Sequence, residues 1–269
     1  MIRAIKIALM AAVMAAVVVF LYGRRSHAES AQPMTAAEHM EHLKMMAAGG
    51  DIHAGHALDE FARGVADQLA AEGFIAVAPD IVSGHGKDGG DTASLSTQQE
   101  ITQAVLALPA AEITSKLKAA REFGLKDSRS NGKSASVGFC FGGAQSFAFA
   151  VAEPGLNAAV VYYGQAPTDA PPAARGTPPG PYLVSDRVAN VKAPIIGFYG
   201  GLAQDARIGN TVAPTEAKMK ELGKTYEPHI FDGAAHGFLR AQTGNAGANM
   251  KATEQAWPMT VAWLKKYAG

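Results

Sequence analysis

The sequence predicts an α/β fold, with a mostly parallel, doubly wound sheet covered by helices on both faces. Short apolar runs rich in β-branched residues alternate with helical segments over most of the chain. One run, residues 135–139, passes directly into helix-forming sequence through the turn Gly138-Phe-Cys140-Phe-Gly142. Fully apolar runs of this length are typical of strands that are buried on both faces.

The turn around Cys140 is the most informative part of the sequence. Glycines at 138 and 142 would let a strand and a helix approach closely through a strained bend. This is the pattern of a nucleophile elbow, which would lift Cys140 above the sheet and place it at a helix N-terminus, where the dipole favours a thiolate. The alternatives are a small buried cysteine and a glycine turn that binds phosphate.

Two polar residues downstream favour the catalytic interpretation of Cys140. Asp205 follows a predicted strand at 193–200, and His236 follows the last predicted strand at 226–231. Nucleophile, acid and histidine in this order are typical of the α/β-hydrolase triad. Asp232 is a rival for the acid because it lies near His236 in sequence, although it directly ends a strand.

The other elements follow from hydrophobic periodicity and from glycine and proline positions. The predicted helices span 59–72, 98–108, 111–123, 144–151, 215–222 and 249–267, and the remaining strands span 74–78 and 158–163. A Gly-rich loop at 83–96 and a Pro- and Gly-rich excursion at 165–186 are expected to lie near the carboxyl ends of the strands.

Composition narrows the range of partners. The chain has 269 residues, of which 48% are hydrophobic, and its 24 basic residues balance its 24 acidic ones. A chain of this kind can build one sizeable core, and its zero net charge argues against nucleic acid as a partner. Cys140 is the single cysteine, so no intramolecular disulfide can form. We expect a monomer that binds a small molecule.

Residues 1–28 predict a signal peptide. A basic start precedes the apolar run at 7–22, and Ser26-His27-Ala28 fits a cleavage site. We therefore expect a periplasmic or secreted protein that has no membrane contact once the leader is removed. The alternative is a membrane anchor formed by an uncleaved leader, although the run is short for a bilayer span of roughly 20 residues.

Residues 29–58 predict a helical or irregular segment before a hydrolase domain at 59–269. Four histidines lie in this segment: His39, His42, His53 and His56. Without a cysteine or a carboxylate at a standard ligand spacing, they indicate a solvated face and no metal site.

Several segments in order resemble the dienelactone hydrolase family, over about residues 52–267. They are Leu69–Asp80, Gly138–Gly143, Phe198–Gly201, Asp205–Arg207 and Asp232–Arg240. The resemblance implies an α/β-hydrolase fold without a cofactor, which cleaves esters or lactones through a Cys-His-Asp triad and an acyl-enzyme. Residue by residue, the triad would be Cys140, His236 and Asp205.

The resemblance also implies supporting residues. The backbone N–H groups of Phe141 and Gly55 would form the oxyanion hole, and Arg240 would bind a substrate carboxylate. Arg207 is expected to be structural or at the rim. Two departures weaken a dienelactone substrate: Ala54 stands where the family has an activating glutamate, and a second carboxylate-binding arginine is not found in the Gly-rich loop.

We expect the family's early strands to be missing as well, because residues 29–58 hold no apolar run long enough for a central strand. We expect a smaller sheet of about five strands, with Val17–Leu21 as an alternative strand that fills the gap. The smaller sheet predicts an incomplete oxyanion hole and weak activity. The rival functions are an inactive exported binding protein with this fold and a thiol redox or sensor protein.

Overall fold

A six-stranded sheet lies between two layers of helices in the computed structural model, which describes residues 17–22, 60–169 and 181–269. The strands are β1 Val17–Tyr22, β2 Ile75–Val77, β3 Ala135–Phe139, β4 Ala158–Tyr162, β5 Ile195–Gly200 and β6 Tyr226–Phe231. Their order across the sheet is β2-β1-β3-β4-β5-β6.

Helices connect the strands in the manner expected for an α/β fold. They are α1 Glu60–Ala71, α2 Gln98–Ala107, α3 Ala110–Leu125, α4 Phe141–Ala152, α5 Ala206–Glu221 and α6 Ala248–Ala268. Short 3₁₀ helices span Lys87–Gly89, Thr92–Ser94, Asp186–Asn190, Ala203–Asp205 and Asn245–Gly247. Among the described residues, no helix has both the length and the apolar character needed to cross a membrane.

Two hydrophobic cores cover the two faces of the sheet. Ala135, Val137 and Phe139 of β3 pack in the core that also holds buried residues of α1 and α6. Ala159 and Val161 of β4 belong to the opposite core, with residues of α2, α3 and α4. Alternate strand residues point to opposite faces, so the nearly continuous apolar sequence of these strands is explained by burial on both sides.

The expected five-stranded sheet is wrong, because Val17–Tyr22 lies between β2 and β3 as strand β1. A gap at this place would leave the inner edges of β2 and β3 without backbone partners in the core. The segment Val17-Val-Val-Phe-Leu-Tyr22 has the β-branched and aromatic composition that suits such a position. The alternative strand of the sequence prediction is therefore the one that the structure contains.

The direction of β1 is opposite to that of the other strands. It pairs antiparallel with both β2 and β3, whereas β3 to β6 are parallel, so the sheet is mostly parallel as predicted. Val17 pairs with Phe139 and Leu21 with Ala135. Tyr22, the last residue of β1, therefore lies at the end of the strands opposite to Cys140.

Candidate active site

Cys140 occupies a sharp turn between β3 and α4. Its backbone has φ 53° and ψ −116°, which is a strained conformation for a residue with a side chain. A Cβ on Gly138 would lie 2.0 Å from the carbonyl oxygen of Gly142, and one on Gly143 would lie 2.5 Å from that of Tyr162. Glycine is required at both places, and the turn is the predicted elbow in atomic detail.

The structure brings the three residues of the predicted triad together. His236 Nε2 lies 3.1 Å from the Sγ atom of Cys140, and His236 Nδ1 lies 3.0 Å from Oδ1 of Asp205. Cys140 is half-buried, while Asp205 is 6% exposed. A cysteine sulfur, an imidazole and a buried carboxyl group thus form one hydrogen-bonded line.

Asp205, rather than Asp232, faces the imidazole. Asp205 ends the 3₁₀ turn after β5, and its backbone N–H donates to the carbonyl of Leu202 at 2.9 Å, which fixes the turn. Asp232 is exposed. β5 and β6 are neighbours and end at the same end of the sheet, so both aspartates lie near His236, and the 3.0 Å contact of His236 Nδ1 with Asp205 Oδ1 identifies Asp205 as its partner.

The surroundings of His236 favour its charged form. Burial lowers the pKa of this imidazole, but the hydrogen bonds to Asp205 and Cys140, and the charges of both groups, outweigh burial and raise the pKa from 6.5 to about 10. The folded protein therefore favours the imidazolium form of His236, which lies between the Asp205 carboxyl group and the Cys140 sulfur.

We expect this raised pKa to make the stability depend on pH. A group whose pKa is higher in the folded state stabilises that state fully below its unfolded value, here near 6.5, and the stabilisation is lost as pH rises through about 10. Urea unfolding of the wild type and of His236→Gln should give a difference in unfolding free energy that shrinks between pH 6 and 10.5. A difference that stays constant with pH would contradict the raised pKa.

Of the two predicted oxyanion donors, Phe141 lies in the part of the chain that the structure describes. Phe141 begins α4 directly after Cys140, and as the first N–H of a helix its amide has no acceptor within the helix. It is available to a negative oxygen near Cys140. Gly55, the other predicted donor, lies outside the described residues, as do Ala54 and the four histidines of segment 29–58.

Tyr163 is a site residue that sequence reasoning missed. It has φ 48°, its ring lies 5.1 Å from that of His236, and its hydroxyl accepts a hydrogen bond from the Leu239 N–H at 3.1 Å. Burial, together with negative charge at Cys140, raises the pKa of Tyr163 well above its usual value, so the hydroxyl stays protonated. The sequence signal that could have identified it is its position directly after a parallel strand, because open α/β sheets bind ligands at that end.

Arg240 lies at the exposed side of the site. It follows His236 by one turn, and its Cζ atom stands 5.2 Å from the centre of the Phe61 ring. Arg207 is exposed as well, on the first turn of α5. Substrate binding by Arg240 and a structural or rim role for Arg207 stay predictions.

The doubly covered sheet, the elbow and the order of the three polar residues define the chain as an α/β hydrolase. The sequence profile of the dienelactone hydrolase family matches residues 51–268, so the chain belongs to the dienelactone hydrolase family.

Named relatives share about a quarter of the sequence. A Methylorubrum extorquens protein, provisionally named carboxymethylenebutenolidase, is 27% identical over 210 residues, which are 77% of this chain and 68% of the relative. An Escherichia coli K12 protein with the same provisional name is 26% identical over 211 residues, or 78% and 73% of the two chains.

Solved structures show the same fold. A provisionally named dienelactone hydrolase from Klebsiella pneumoniae superposes with a TM-score of 0.59 at 20% identity, covering 78% of this chain and 82% of the other. A dienelactone hydrolase-like promiscuous phosphotriesterase from metagenomic libraries gives 0.54 at 19% identity, covering 79% and 82%.

Proposed function

We propose that the chain hydrolyses carboxylic esters or lactones through an acyl-cysteine intermediate. The observation that carries this proposal is the line from Cys140 Sγ through His236 to Asp205, with heavy-atom distances of 3.1 and 3.0 Å. A cysteine sulfur at a strained elbow, hydrogen-bonded to an imidazole, can act as an activated nucleophile without a cofactor.

In the acylation step, the Cys140 thiolate attacks the carbonyl carbon and forms a tetrahedral oxyanion. The Phe141 N–H donates a hydrogen bond to this oxygen, and the charge of helix α4's N-terminus adds to the stabilisation. When the carbon–oxygen bond of the ester breaks, the imidazolium of His236 gives its proton to the leaving alkoxide.

In the deacylation step, neutral His236 takes a proton from water, which attacks the thioester and releases the acid. The bond from His236 Nδ1 to Asp205 Oδ1, at 3.0 Å, holds the imidazole with Nε2 directed towards the sulfur. The tetrahedral intermediate expels the thiolate, and the imidazolium forms again beside it.

The proposal predicts a measurable acyl-enzyme. With 4-nitrophenyl acetate, the wild type should release a burst of nitrophenol close to one equivalent and then turn over steadily. Intact-protein mass spectrometry after acid quenching should find one acetyl group, located on Cys140 by peptide mapping. A folded protein that forms no acyl-cysteine with a panel of short esters would contradict the proposal. A non-catalytic binding protein with this fold would likewise form no acyl-cysteine. A redox sensor would not turn the ester over.

We further propose that the substrate carries a carboxylate, which Arg240 binds. Arg240→Ala should raise KM for an anionic ester by about tenfold or more, the effect of losing one charge-assisted hydrogen bond. KM for a neutral ester of the same length should change little. The measurement is steady-state hydrolysis of both esters, and equal losses for the two would show that Arg240 is structural.

A further inference from the structure

The loop that carries His236, residues 235–241, is closed by one side chain of helix α6. The Oδ1 atom of Asn249 accepts a hydrogen bond from the Ala235 N–H at 2.9 Å, and its Nδ2 atom donates to the Ala241 carbonyl at 2.6 Å. Ala235 directly precedes the histidine, and Ala241 ends the loop. One amide group therefore holds both ends of the segment that contains His236.

Asn249 is itself firmly held. It lies in the first turn of α6 and is 1% exposed. The Asn245 side chain donates to its Oδ1 atom at 3.0 Å, and the Thr253 hydroxyl donates to its backbone carbonyl at 2.9 Å. A Cβ on Gly244 would lie 2.9 Å from Nδ2, so the amide has little room on that side. A side chain as buried as this one does not reach a substrate, and it can affect the site only through the loop.

The position of the His236 loop determines the geometry of the site. Residues 235–241 belong to no strand or helix, so no regular ladder fixes them. Within the loop, the Leu239 N–H donates to the Tyr163 hydroxyl at 3.1 Å. The loop has to place His236 Nε2 at 3.1 Å from the Cys140 sulfur. Proton transfer needs this contact, and a displacement of about 1 Å can lower a rate roughly 100-fold.

We propose that Asn249 is a positioning residue, which sets the distance between the Cys140 sulfur and the His236 imidazole by closing the His236 loop. Without the amide, the Ala235 N–H and the Ala241 carbonyl lose the group that joins them, and the loop can move away from the sulfur. This inference rests on the ester hydrolysis proposed above and adds a residue that the sequence marks only as part of the closing helix.

The first test is Asn249→Ala in the full chain. With 4-nitrophenyl acetate, kcat should fall about tenfold to 100-fold, while KM stays within about twofold because Asn249 does not contact the substrate. Nitrogen NMR of protein labelled at histidine, with His236→Gln to assign the signal, measures the imidazole directly. His236 should titrate at a lower pH than in the wild type, because weaker bonds to Asp205 and Cys140 raise its pKa less.

Asn157→Ala is the matched control. The Asn157 side chain also accepts a backbone N–H, that of Ser134, at 3.0 Å. This bond lies where β3 and β4 begin, at the end of the strands opposite to Cys140. Asn157→Ala should lower the free energy of unfolding and leave both kcat and the His236 titration unchanged. If Asn249→Ala behaves in the same way, Asn249 is only structural and the inference fails.

Asn249→Asp covers the case in which the alanine variant does not fold. A protonated carboxyl group can accept from Ala235 and donate to Ala241, as the amide does, whereas an ionised one cannot donate. The ratio of its kcat to that of the wild type should therefore fall as pH rises from 5 to 9, and a constant ratio would overturn the inference. If the wild type hydrolyses no ester, the proposed function fails, whereas the NMR titrations still decide whether Asn249 positions His236.

Discussion

Cys140→Ala is expected to abolish ester turnover, with kcat lower by about 10⁴-fold to 10⁶-fold, and His236→Ala should lose nearly as much. In the proposed mechanism the sulfur forms the covalent bond and the imidazole moves every proton in both steps, so neither group would work alone. The double variant should therefore be no slower than the slower single variant. Stopped-flow and steady-state hydrolysis of 4-nitrophenyl acetate measure these losses, with circular dichroism to show that each variant is folded.

The two aspartates provide a matched control for the geometry. Asp205→Asn should lower kcat by about 10⁴-fold, because an amide cannot hold the imidazole in the required tautomer or stabilise its charge. Asp232→Asn should leave kcat within about threefold, since the side chain is exposed and His236 Nδ1 faces Asp205. Turnover that survives in Cys140→Ala, or equal losses in the two asparagine variants, would contradict the proposed triad of Cys140, His236 and Asp205.

The elbow could be predicted because local sequence determines it. Gly138 and Gly143 leave no room for a Cβ, so their positions around Cys140 carry the geometry of the turn directly. Strands β3 and β6 have the predicted bounds, because each is a short β-prone run that ends at a glycine-containing turn. Asp205 and His236 then follow from the order of parallel strands, whose carboxyl ends share one edge.

Other features depend on contacts that no local pattern encodes. The start of α5 was predicted at 215, yet the helix begins at Ala206 and includes Pro214 in its interior. The contacts of Phe61 with Phe139 and Arg240 join residues far apart in sequence, which hydrophobic periodicity does not predict. The hydroxyl of Tyr163 could be placed beside the Leu239 N–H only with the structure.

Strand β1 shows the limit of reading a hydrophobic run. Residues 7–22 satisfy the pattern of a secretory leader, and the structure pairs the last six of them with β2 and β3. Both descriptions use the same apolar, β-branched residues, because a leader and a buried strand require the same side chains. They exclude each other in one molecule: a mature chain that begins near Glu29 has no β1. The predicted export therefore bears directly on the stability of the sheet, and intact mass of the purified protein shows which chain is present.

The antiparallel direction of β1 also bears on the predicted oxyanion hole. A parallel strand at this place would end beside Cys140 and could continue into a loop that supplies the second N–H. In this chain Val17 is the end of β1 that pairs beside Phe139, and Tyr22 lies at the far end. The weak activity expected from the sequence therefore remains a prediction, now because the strand is reversed and not because it is absent.

Removing residues 1–28 is expected to unfold the protein, whereas removing residues 1–16 should leave a folded chain that retains β1. Without β1, the inner edges of β2 and β3 lose their backbone partners, at a cost of about 1–3 kcal/mol for each group that stays buried and unpaired. A few such groups equal the whole stability of a typical domain, about 5–15 kcal/mol. Val19→Pro should have a similar effect, because Val19 pairs with Val137 in mid-sheet and proline cannot donate to the ladder.

Circular dichroism and urea unfolding measure the stability of these chains, and hydrogen exchange of the full chain should find the amides of 17–22 as well protected as those of β3. A chain lacking residues 1–28 that is as stable as the full chain would contradict this structural role. In that case β2 would have to pair directly with β3, in the smaller sheet. Fast exchange at 17–22 in a folded protein would lead to the same conclusion, because amides without a sheet partner exchange rapidly.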